Sequence, residues 1–389
     1  MANDQRIPIT SIRMAAPAPA PRKTIAIEAL RDPARFLDAQ RAFYRHDPHY
    51  VPPLTFGEKW TVDPRQNPFF EHATVEFFVS REHGRITGRI SVCRDRLHDE
   101  FHGDRVGFFG HFEAEDERTA HALLDHAAHW LREHGAEAMR GPVNLSTNYT
   151  CGLLVEGDPG PPVLMMPHNP PSYRTWFEAW GLEKAKDLLA LWVDGRDLDL
   201  PRLDRIASHI RRKLGATLRS VDLKNWDREV QVLWDLYNRI WERNWGFVPM
   251  SKGEFLRQAK DLKPLAHPAL MHVAEVAGEP VGFVIGLPDA NLAIRKARGR
   301  LLPFGWFHLL RAHRTHRIRV ITLGSLPEHR GNGLPTLLLH EVIFRGLANG
   351  FTACEASWIL EDNRDMLGPL EKLGHRCYRR YRIFEKKLN

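Results

Sequence analysis

The chain has 389 residues, of which 43% are hydrophobic and 26% charged, and its formal net charge is +7. This composition excludes a wholly disordered protein, because disorder requires low hydrophobicity. No run approaches the roughly 18 apolar residues of a membrane-spanning helix, and the first residues lack the apolar core of a secretory signal. The four widely separated cysteines predict reduced thiols in a cytoplasmic protein. The modest positive charge permits a phosphorylated cofactor, an anionic lipid or a nucleic acid, and selects none of them.

The first part of the chain predicts an arm followed by an α/β domain. Residues 1–23 carry an alternation of alanine and proline that cannot form a helix, so we expect a disordered arm there. Residues 24–194 show strand patterns and amphipathic helix patterns in alternation. The expected strands are Thr74–Val79, Gly88–Val92, Arg105–Phe112 and Leu188–Val193, and the expected helices are Arg118–His134 and Tyr173–Trp180.

A polar linker is predicted at 195–201, and after it the same order of elements begins again over 202–389. The expected helices here are Leu203–Leu214, Arg228–Trp245, Leu334–Asn349 and Arg364–Leu373. The expected strands are Met271–Val276, Pro280–Leu287, Ile318–Leu326, Cys354–Ile359 and Tyr381–Glu385. The repeated order of elements predicts an α/β fold (an α+β mixed sheet) made of two similar domains packed together.

The segment from Val320 to Leu334 predicts a strand, a glycine-containing turn and the start of a helix. Glycines let the backbone approach a ligand closely, and the first turn of a helix offers unpaired N–H groups to an anion. The pattern is typical of a pyrophosphate cradle, and it also suits a plain strand-to-helix turn. The candidate donor-binding residues are Leu323, Ser325, Leu326, Arg330, Gly331, Asn332, Gly333 and Leu334.

This segment resembles the acyl-CoA-binding loop of the GNAT family of N-acetyltransferases, through Pro327-Glu328, Arg330 and Gly333. Downstream, the stretches from Glu355 to Asn363 and from Leu370 to His375 are similar to the next strand and helix of that family. The resemblance covers about residues 215–389. It implies tandem GNAT-like domains, with an N-terminal copy that lacks the loop. It also implies an acyl-CoA or another acyl thioester as co-substrate.

Two positions depart from the family pattern. Pro335 stands where the loop usually closes with glycine or alanine, and a proline has no N–H to give to a phosphate. Leu370 stands where many family members place a tyrosine general acid. Tyr378 and Tyr381 are candidates to replace that phenol.

The resemblance implies acyl transfer from a thioester to an amine, which requires a general base. Glu355 is the first candidate base, and Glu361 and Asp362 are alternatives near the strand-to-helix turn; Asn363 is placed with the donor-binding residues. The structural alternatives are a salt-bridged strand residue for Glu355 and a helix cap for Glu361 or Asp362. No metal site is predicted, because no carboxylate or cysteine completes the paired histidines at ligand spacing.

An insert over 289–319 separates two predicted strands and mixes arginines with leucine and aromatic residues. This pattern is typical of an interfacial helix or a lid over an apolar ligand, and also of a helix packed on the other domain. Nucleic acid is an unlikely partner. The insert resembles a bacterial group that includes sphingoid-base N-acyltransferases (bacterial ceramide synthases). That likeness implies a small-molecule or lipid amine acceptor and peripheral contact with an anionic membrane on its inner face.

Two other functions stay open at this level. A catalytically silent GNAT-like binding or scaffold protein is favoured by Pro335 and Leu370. An aminoacyl transferase of the peptidoglycan-bridge type also pairs two such domains, but the sequence has no helical arm of coiled-coil length.

Overall fold

A computed structural model describes residues 25–53, 58–158, 160–297, 314–371 and 373–388. The predicted arm at 1–23 therefore lies outside the described residues, as does the middle of the predicted insert at 289–319. No helix in the described ranges combines the length and the apolar character needed to cross a bilayer.

The described residues form one mixed sheet of 13 strands. The strands are β1 (Ala26–Ala29), β2 (Ala73–Glu82), β3 (Arg85–Asp95), β4 (Val106–Ala114), β5 (Ala138–Gly141), β6 (Leu153–Gly157), β7 (Glu183–Asp194), β8 (Ala216–Ser220), β9 (Met271–Val276), β10 (Glu279–Pro288), β11 (Arg317–Ser325), β12 (Ala353–Leu360) and β13 (Arg376–Lys387). The sheet runs in the order β1-β2-β3-β4-β5-β13-β7-β12-β11-β10-β9-β8, and β6 pairs with β13.

Helices cover both faces of this sheet. They are α1 (Pro33–Phe43), α2 (Arg96–His102), α3 (Glu117–Glu133), α4 (Ser172–Trp180), α5 (Leu200–Leu214), α6 (Trp226–Trp241), α7 (Lys252–Leu262), α8 (Asn291–Lys296), α9 (Leu334–Ala348) and α10 (Arg364–Glu371). The predicted α/β class is confirmed, and the longer helices α3, α5, α6 and α9 each bury apolar residues. On α3, for example, Leu123, Leu124, Ala127 and Leu131 are buried, as their helical spacing predicts.

The two halves of the chain exchange their last strands. β7 ends the first half but pairs with β12 of the second, from Ala353↔Asp194 to Leu360↔Leu188. β13 ends the second half but pairs with β5 of the first, from Phe384↔Gly141 to Lys387↔Ala138. β7 and β13 pair with each other at the centre of the sheet. The sheet therefore crosses the predicted boundaries at 194 and 202 without a break.

Several elements differ from the sequence prediction. The helix expected to reach Trp245 ends at Trp241, because the chain turns there and Gly246 adopts a φ of 68°. The predicted linker at 195–201 contains a short 3₁₀ turn, Gly195–Asp197, and the start of α5, which Asp199 caps through the Arg202 N–H. The elements α1, α2, α7, β1, β5 and β8 were not predicted.

Candidate active site

A gap opens between the parallel strands β11 and β12. They pair from Arg317↔Ala353 to Val320↔Ala356, and no pairing follows among the described residues. At that point β11 carries a bulge, because Val320 faces Gly286 and Thr322 faces Ile285 on the adjacent strand β10. Beyond the bulge, the edge of β11 that faces β12 is free of strand partners within the described chain. Its backbone groups are available to a ligand.

A glycine-lined turn connects the open end of β11 to α9. Gly331 and Gly333 adopt φ values of 71° and 93°, a backbone region that favours glycine. A β-carbon at Gly331 would meet no atom within 4 Å, so the space above this residue is open. Within the described residues, the N–H groups of Gly331, Asn332 and Gly333 have no hydrogen-bond acceptor. The turn can therefore receive an anionic group.

Other groups of the predicted cradle are engaged elsewhere. The Arg330 guanidinium donates to the Ile240 carbonyl at the end of α6, at 2.7 Å. The Leu334 N–H donates to Asn332 Oδ1 at 3.1 Å, and Pro335 has no N–H. Ile210 of α5 packs where a β-carbon of Gly333 would point. The cradle thus offers fewer donors than the loop pattern alone indicates.

The strand residues of the predicted donor site are mostly buried. Leu323 and Leu326 belong to the core of the second half. The Leu326 N–H donates to the Val281 carbonyl at 2.8 Å, so it is part of the sheet and unavailable to a ligand. Ser325 is buried, with its hydroxyl 3.5 Å from the His329 carbonyl oxygen. Of these three residues, Leu323 and Ser325 lie on the stretch of β11 that borders the gap.

Glu355 lies at the closed end of the gap and is fully buried. Its Oε2 is 3.4 Å from Arg319 Nε and accepts a hydrogen bond of 2.9 Å from the Ser357 hydroxyl. The Tyr378 hydroxyl lies 3.4 Å from Oε1. Burial raises the pKa of Glu355 above its usual range, while the nearby Arg319 guanidinium opposes the shift. The carboxylate is therefore held in an ion pair with a phenol at its other oxygen.

A loop of the first half covers this closed end. Arg319 Nη1 donates to the Leu164 carbonyl at 2.7 Å. The Ser357 hydroxyl contacts Met166 Sδ at 3.2 Å, and Arg379 Nε donates to the Asp158 carbonyl at 3.0 Å. Arg319, Ser357 and Met166 were not among the predicted site residues. Arg319 could have been noticed, because it is the one charged residue of the predicted strand Ile318–Leu326.

The three residues after β12 have structural partners. Glu361 pairs with Lys184 Nζ at 2.6 Å and accepts from the Asp187 N–H at 3.1 Å, so it ties this turn to β7. Asp362 pairs with Lys186 at 2.9 Å. The hydrogen bond of Asp362 with Lys186 lowers the pKa of its carboxyl, so the group is ionised at neutral pH. Asn363 Oδ1 accepts from the Met366 N–H at 3.2 Å inside α10.

The position of the missing phenol is filled by a buried Leu370, and the two candidate tyrosines differ in setting. Tyr378 is half-buried and reaches Glu355. Tyr381 is fully buried, and its hydroxyl has no hydrogen-bond partner within the described residues. Burial raises the pKa of Tyr378, and it raises the pKa of Tyr381 to about 12, so both phenols are neutral at physiological pH. Tyr378 is the better placed to exchange a proton.

The comparisons with known sequences point to one family. The model of the acetyltransferase (GNAT) family matches residues 230–375. Protein YghO of Escherichia coli strain K12 is 35% identical over 364 residues, which cover 91% of this chain and 92% of that protein. A protein named bacterial ceramide synthase, from Caulobacter vibrioides, is 35% identical over 365 residues, covering 91% of this chain and 94% of the relative.

Solved structures are similar in fold at low sequence identity. A tandem GNAT protein from the clavulanic acid biosynthesis pathway superposes with a TM-score of 0.56 and 14% identity, covering 94% of this chain and 99% of that chain. A glucosamine N-acetyltransferase region of a fungal multi-domain β-N-acetylglucosaminidase gives a TM-score of 0.58 at 15% identity, covering 97% of this chain and 40% of that chain. These likenesses establish the predicted tandem GNAT fold.

Proposed function

Because the chain belongs to the GNAT family of N-acyltransferases, we propose that it transfers a fatty acyl group from a thioester donor to the amino group of a long-chain, sphingoid-type base. The observation that carries the proposal is the gap between β11 and β12, which opens beside the glycine-lined turn. The name of the Caulobacter relative, which aligns over 91% of this chain, supports the choice of a lipid amine.

The donor would lie along the open edge of β11. The N–H groups of Gly331, Asn332 and Gly333 would bind a phosphate of the donor at the start of α9, where the helix dipole favours negative charge. Backbone N–H groups after the bulge would polarise the thioester carbonyl, an effect worth about 10²- to 10³-fold per donor in other enzymes. Bringing the amine to the same gap adds the advantage of proximity.

Tyr378 and Glu355 would handle the protons. The amine must lose a proton to attack, and the leaving thiolate must gain one. Glu355, 3.4 Å from the Tyr378 hydroxyl, would accept the proton of the ammonium through that hydroxyl. Tyr378 would then donate its proton to the leaving thiolate and recover one from Glu355, so that both groups return to their starting state. Glu361, the other candidate base, is bound to Lys184 and the Asp187 N–H and is assigned no step.

The test is a Tyr378→Phe variant assayed with a sphingoid base and an acyl thioester, the amide being measured by mass spectrometry. We expect kcat to fall by about 100-fold with little change in KM for either substrate, because only proton transfer is affected. Tyr381→Phe is the matched control, since its hydroxyl has no partner within the described residues. Equal activity of Tyr378→Phe and the control would reject the proton-transfer role. A wild-type protein that acylates other amines and leaves the sphingoid base unchanged would reject the lipid acceptor.

The insert at 289–319 is proposed to bring the protein to an anionic membrane. Its two ends meet, because Asp289 and Arg317 form an ion pair of 2.7 Å and the Asp289 N–H donates to the Arg317 carbonyl at 2.9 Å. Its central residues, including Trp306 and Phe307, lie outside the described ranges. We expect Trp306→Ser combined with Phe307→Ser to lower co-sedimentation with anionic vesicles while the melting temperature stays unchanged. Equal sedimentation of variant and wild type would reject this contact.

A further inference from the structure

Helix α5, Leu200–Leu214, carries an exposed basic face. The helix contains five Lys or Arg residues and one Asp. With 3.6 residues per turn, Leu203, Ala207, Ile210 and Leu214 share one side, which packs towards the core. Arg205 and Arg212 lie on the opposite side, and Arg202 and Lys213 lie on the adjoining flank. All four are exposed and have no ion-pair partner within the described residues.

The remaining charges of α5 are neutralised against α9. Asp204 binds His340 Nε2 at 3.0 Å, and Arg211 binds Glu341 at 3.3 Å. Asp204 and Arg211 flank the buried side of α5. The charges of α5 that face α9 are therefore paired, and those that face solvent are free. The free cations span 12 residues, or about 16 Å along the helix axis. That length exceeds what a single phosphate group needs.

The basic face ends beside the turn that we propose for the donor. Ile210 packs against Gly333, which places the last turn of α5, with Arg212 and Lys213, next to the start of α9. A large anionic partner lying on α5 would therefore sit at the mouth of the cradle.

The cradle itself is poor in groups for a diphosphate. Arg330 binds the Ile240 carbonyl, the Leu334 N–H is occupied by Asn332, and Pro335 has no N–H. Coenzyme A brings a diphosphate and a further phosphate on its ribose. The phosphopantetheine arm of an acyl carrier protein brings only one phosphodiester, which the three free N–H groups of the turn can hold. The Arg330 guanidinium of the cradle is bound to a carbonyl oxygen, whereas the free cations lie along α5.

We propose that α5 is the docking surface for a small acidic carrier protein that presents the acyl group on its phosphopantetheine arm. This inference rests on the proposed function, because it names the donor of the same site. Complementary charge would speed association and lose its effect as salt screens it.

The first experiment measures binding, so that it does not depend on catalysis. The unacylated, phosphopantetheine-bearing carrier protein is immobilised, and its affinity for the wild type is compared with that of Arg205→Glu/Arg212→Glu. We expect the double variant to bind at least tenfold more weakly, and wild-type affinity to fall when salt is raised. Arg132→Glu, an exposed basic residue near the end of α3, is the matched control and should bind like the wild type. Equal affinity of the α5 variant and the control would overturn the inference.

The second experiment compares palmitoyl carrier protein with palmitoyl-CoA at equal concentration. We expect kcat/KM to be at least tenfold higher with the carrier protein, and the α5 variant to lose this advantage while its turnover of palmitoyl-CoA changes by less than threefold. Equal losses with both donors would overturn the inference and leave the acyl transfer itself intact. Loss of vesicle co-sedimentation in the α5 variant, with carrier binding unchanged, would assign the basic face to a membrane and overturn the inference as well.

Discussion

Each half of the molecule has a connection from a strand to a long helix, and the two connections differ in the residues at the start of the helix. In the first half, β4 leads into α3; in the second, β11 leads into α9. Asp116 caps α3 by accepting a hydrogen bond from the Thr119 N–H at 2.7 Å, whereas α9 begins after Gly333 without a side-chain cap from that residue. An acidic cap occupies the site where an anion would bind, and a glycine leaves it open.

The gap between parallel strands is also occupied in the first half and open in the second. β4 and β5 pair only from Val106↔Ala138 to Phe108↔Arg140, so a gap opens in the first half too. There the following chain fills it: the Val143 N–H donates to the Phe109 carbonyl and the His111 N–H donates to Asn144 Oδ1, each at 2.7 Å. In the first half β4 also carries a bulge, because Glu113 faces Arg89 and Gly110 faces Ser91 on β3. The bulge and the gap therefore belong to the fold, while access to the strand edge decides which copy can bind a donor.

A buried ion pair occurs in both halves. Arg89 lies 3.6 Å from Glu113, and Arg319 lies 3.4 Å from Glu355. Glu113 also accepts hydrogen bonds from the phenols of Tyr44 and Tyr173, at 2.8 and 2.9 Å. A buried glutamate with an arginine and a phenol is therefore no sign of catalysis by itself, and its position beside an open gap is what distinguishes Glu355.

The largest effect is expected from placing a carboxylate in the turn before α9, where the first half has Asp116 before α3. We expect Gly331→Asp to lower kcat/KM for the thioester donor by about 1000-fold, because a carboxylate would repel the phosphate. Gly331→Asn is the matched control, since asparagine also tolerates a φ of 71° and adds no charge. Steady-state kinetics measure both variants. A similar loss in the two would show that backbone strain, rather than charge, causes it.

The two ion pairs provide the next test. Glu355→Ala leaves Arg319 buried without its partner and should lower the free energy of unfolding by about 3 kcal/mol. Combining Arg319→Met with Glu355→Leu should restore most of it. Glu113→Ala should cost a similar amount, but its remaining folded protein should keep full specific activity. Urea unfolding and activity per folded molecule measure both effects. Full activity in folded Glu355→Ala would remove this residue from the proposed chemistry.

A smaller effect is expected from the cap of α3 in the first half. Asp116→Ala removes the cap of α3 and should lower the free energy of unfolding by about 1 kcal/mol, with kcat and KM unchanged. Glu133→Ala, at an exposed carboxylate in the last turn of the same helix, controls for loss of a carboxylate. Loss of donor affinity in Asp116→Ala would contradict the assignment of this connection as structural.

The smallest effect concerns the junction of the two regions. Burial alone would lower the pKa of His72, but hydrogen bonds with Asp95 and Glu254, at 2.8 and 3.5 Å, raise it to about 9. The stabilisation from charged His72 is therefore complete below about pH 6.5 and lost as the pH rises to about 9. We expect the melting temperature to fall by a few degrees over this interval in the wild type and less in His72→Gln. Parallel curves would rule out this contribution.

The sequence predicted the elements better than their partners. Alternating apolar residues locate β10 and β11, and glycines mark the turn before α9, because these signals are local. The exchange of β7 and β13 cannot be predicted in this way, because it pairs residues as distant as Ala138 and Lys387.

The candidate site shows the same limit. The turn at Gly331–Gly333 follows from its residues, whereas the engagement of Arg330 with Ile240 depends on where α6 ends. Likewise, the contact between Met166 and Ser357 joins two halves of the chain, and no periodicity reveals it. These two contacts of the site both join residues that are far apart in the sequence.

The exchanged strands constrain how the protein is made. The first half cannot complete its part of the sheet until β13, which contains residues up to Lys387, has been synthesised. Domains usually fold one after another as they leave the ribosome, but here the first half must wait with the edge of β5 unpaired. The first half can therefore complete its part of the sheet only once β13 is available, and a chain that stops before β13 would expose an edge prone to aggregation.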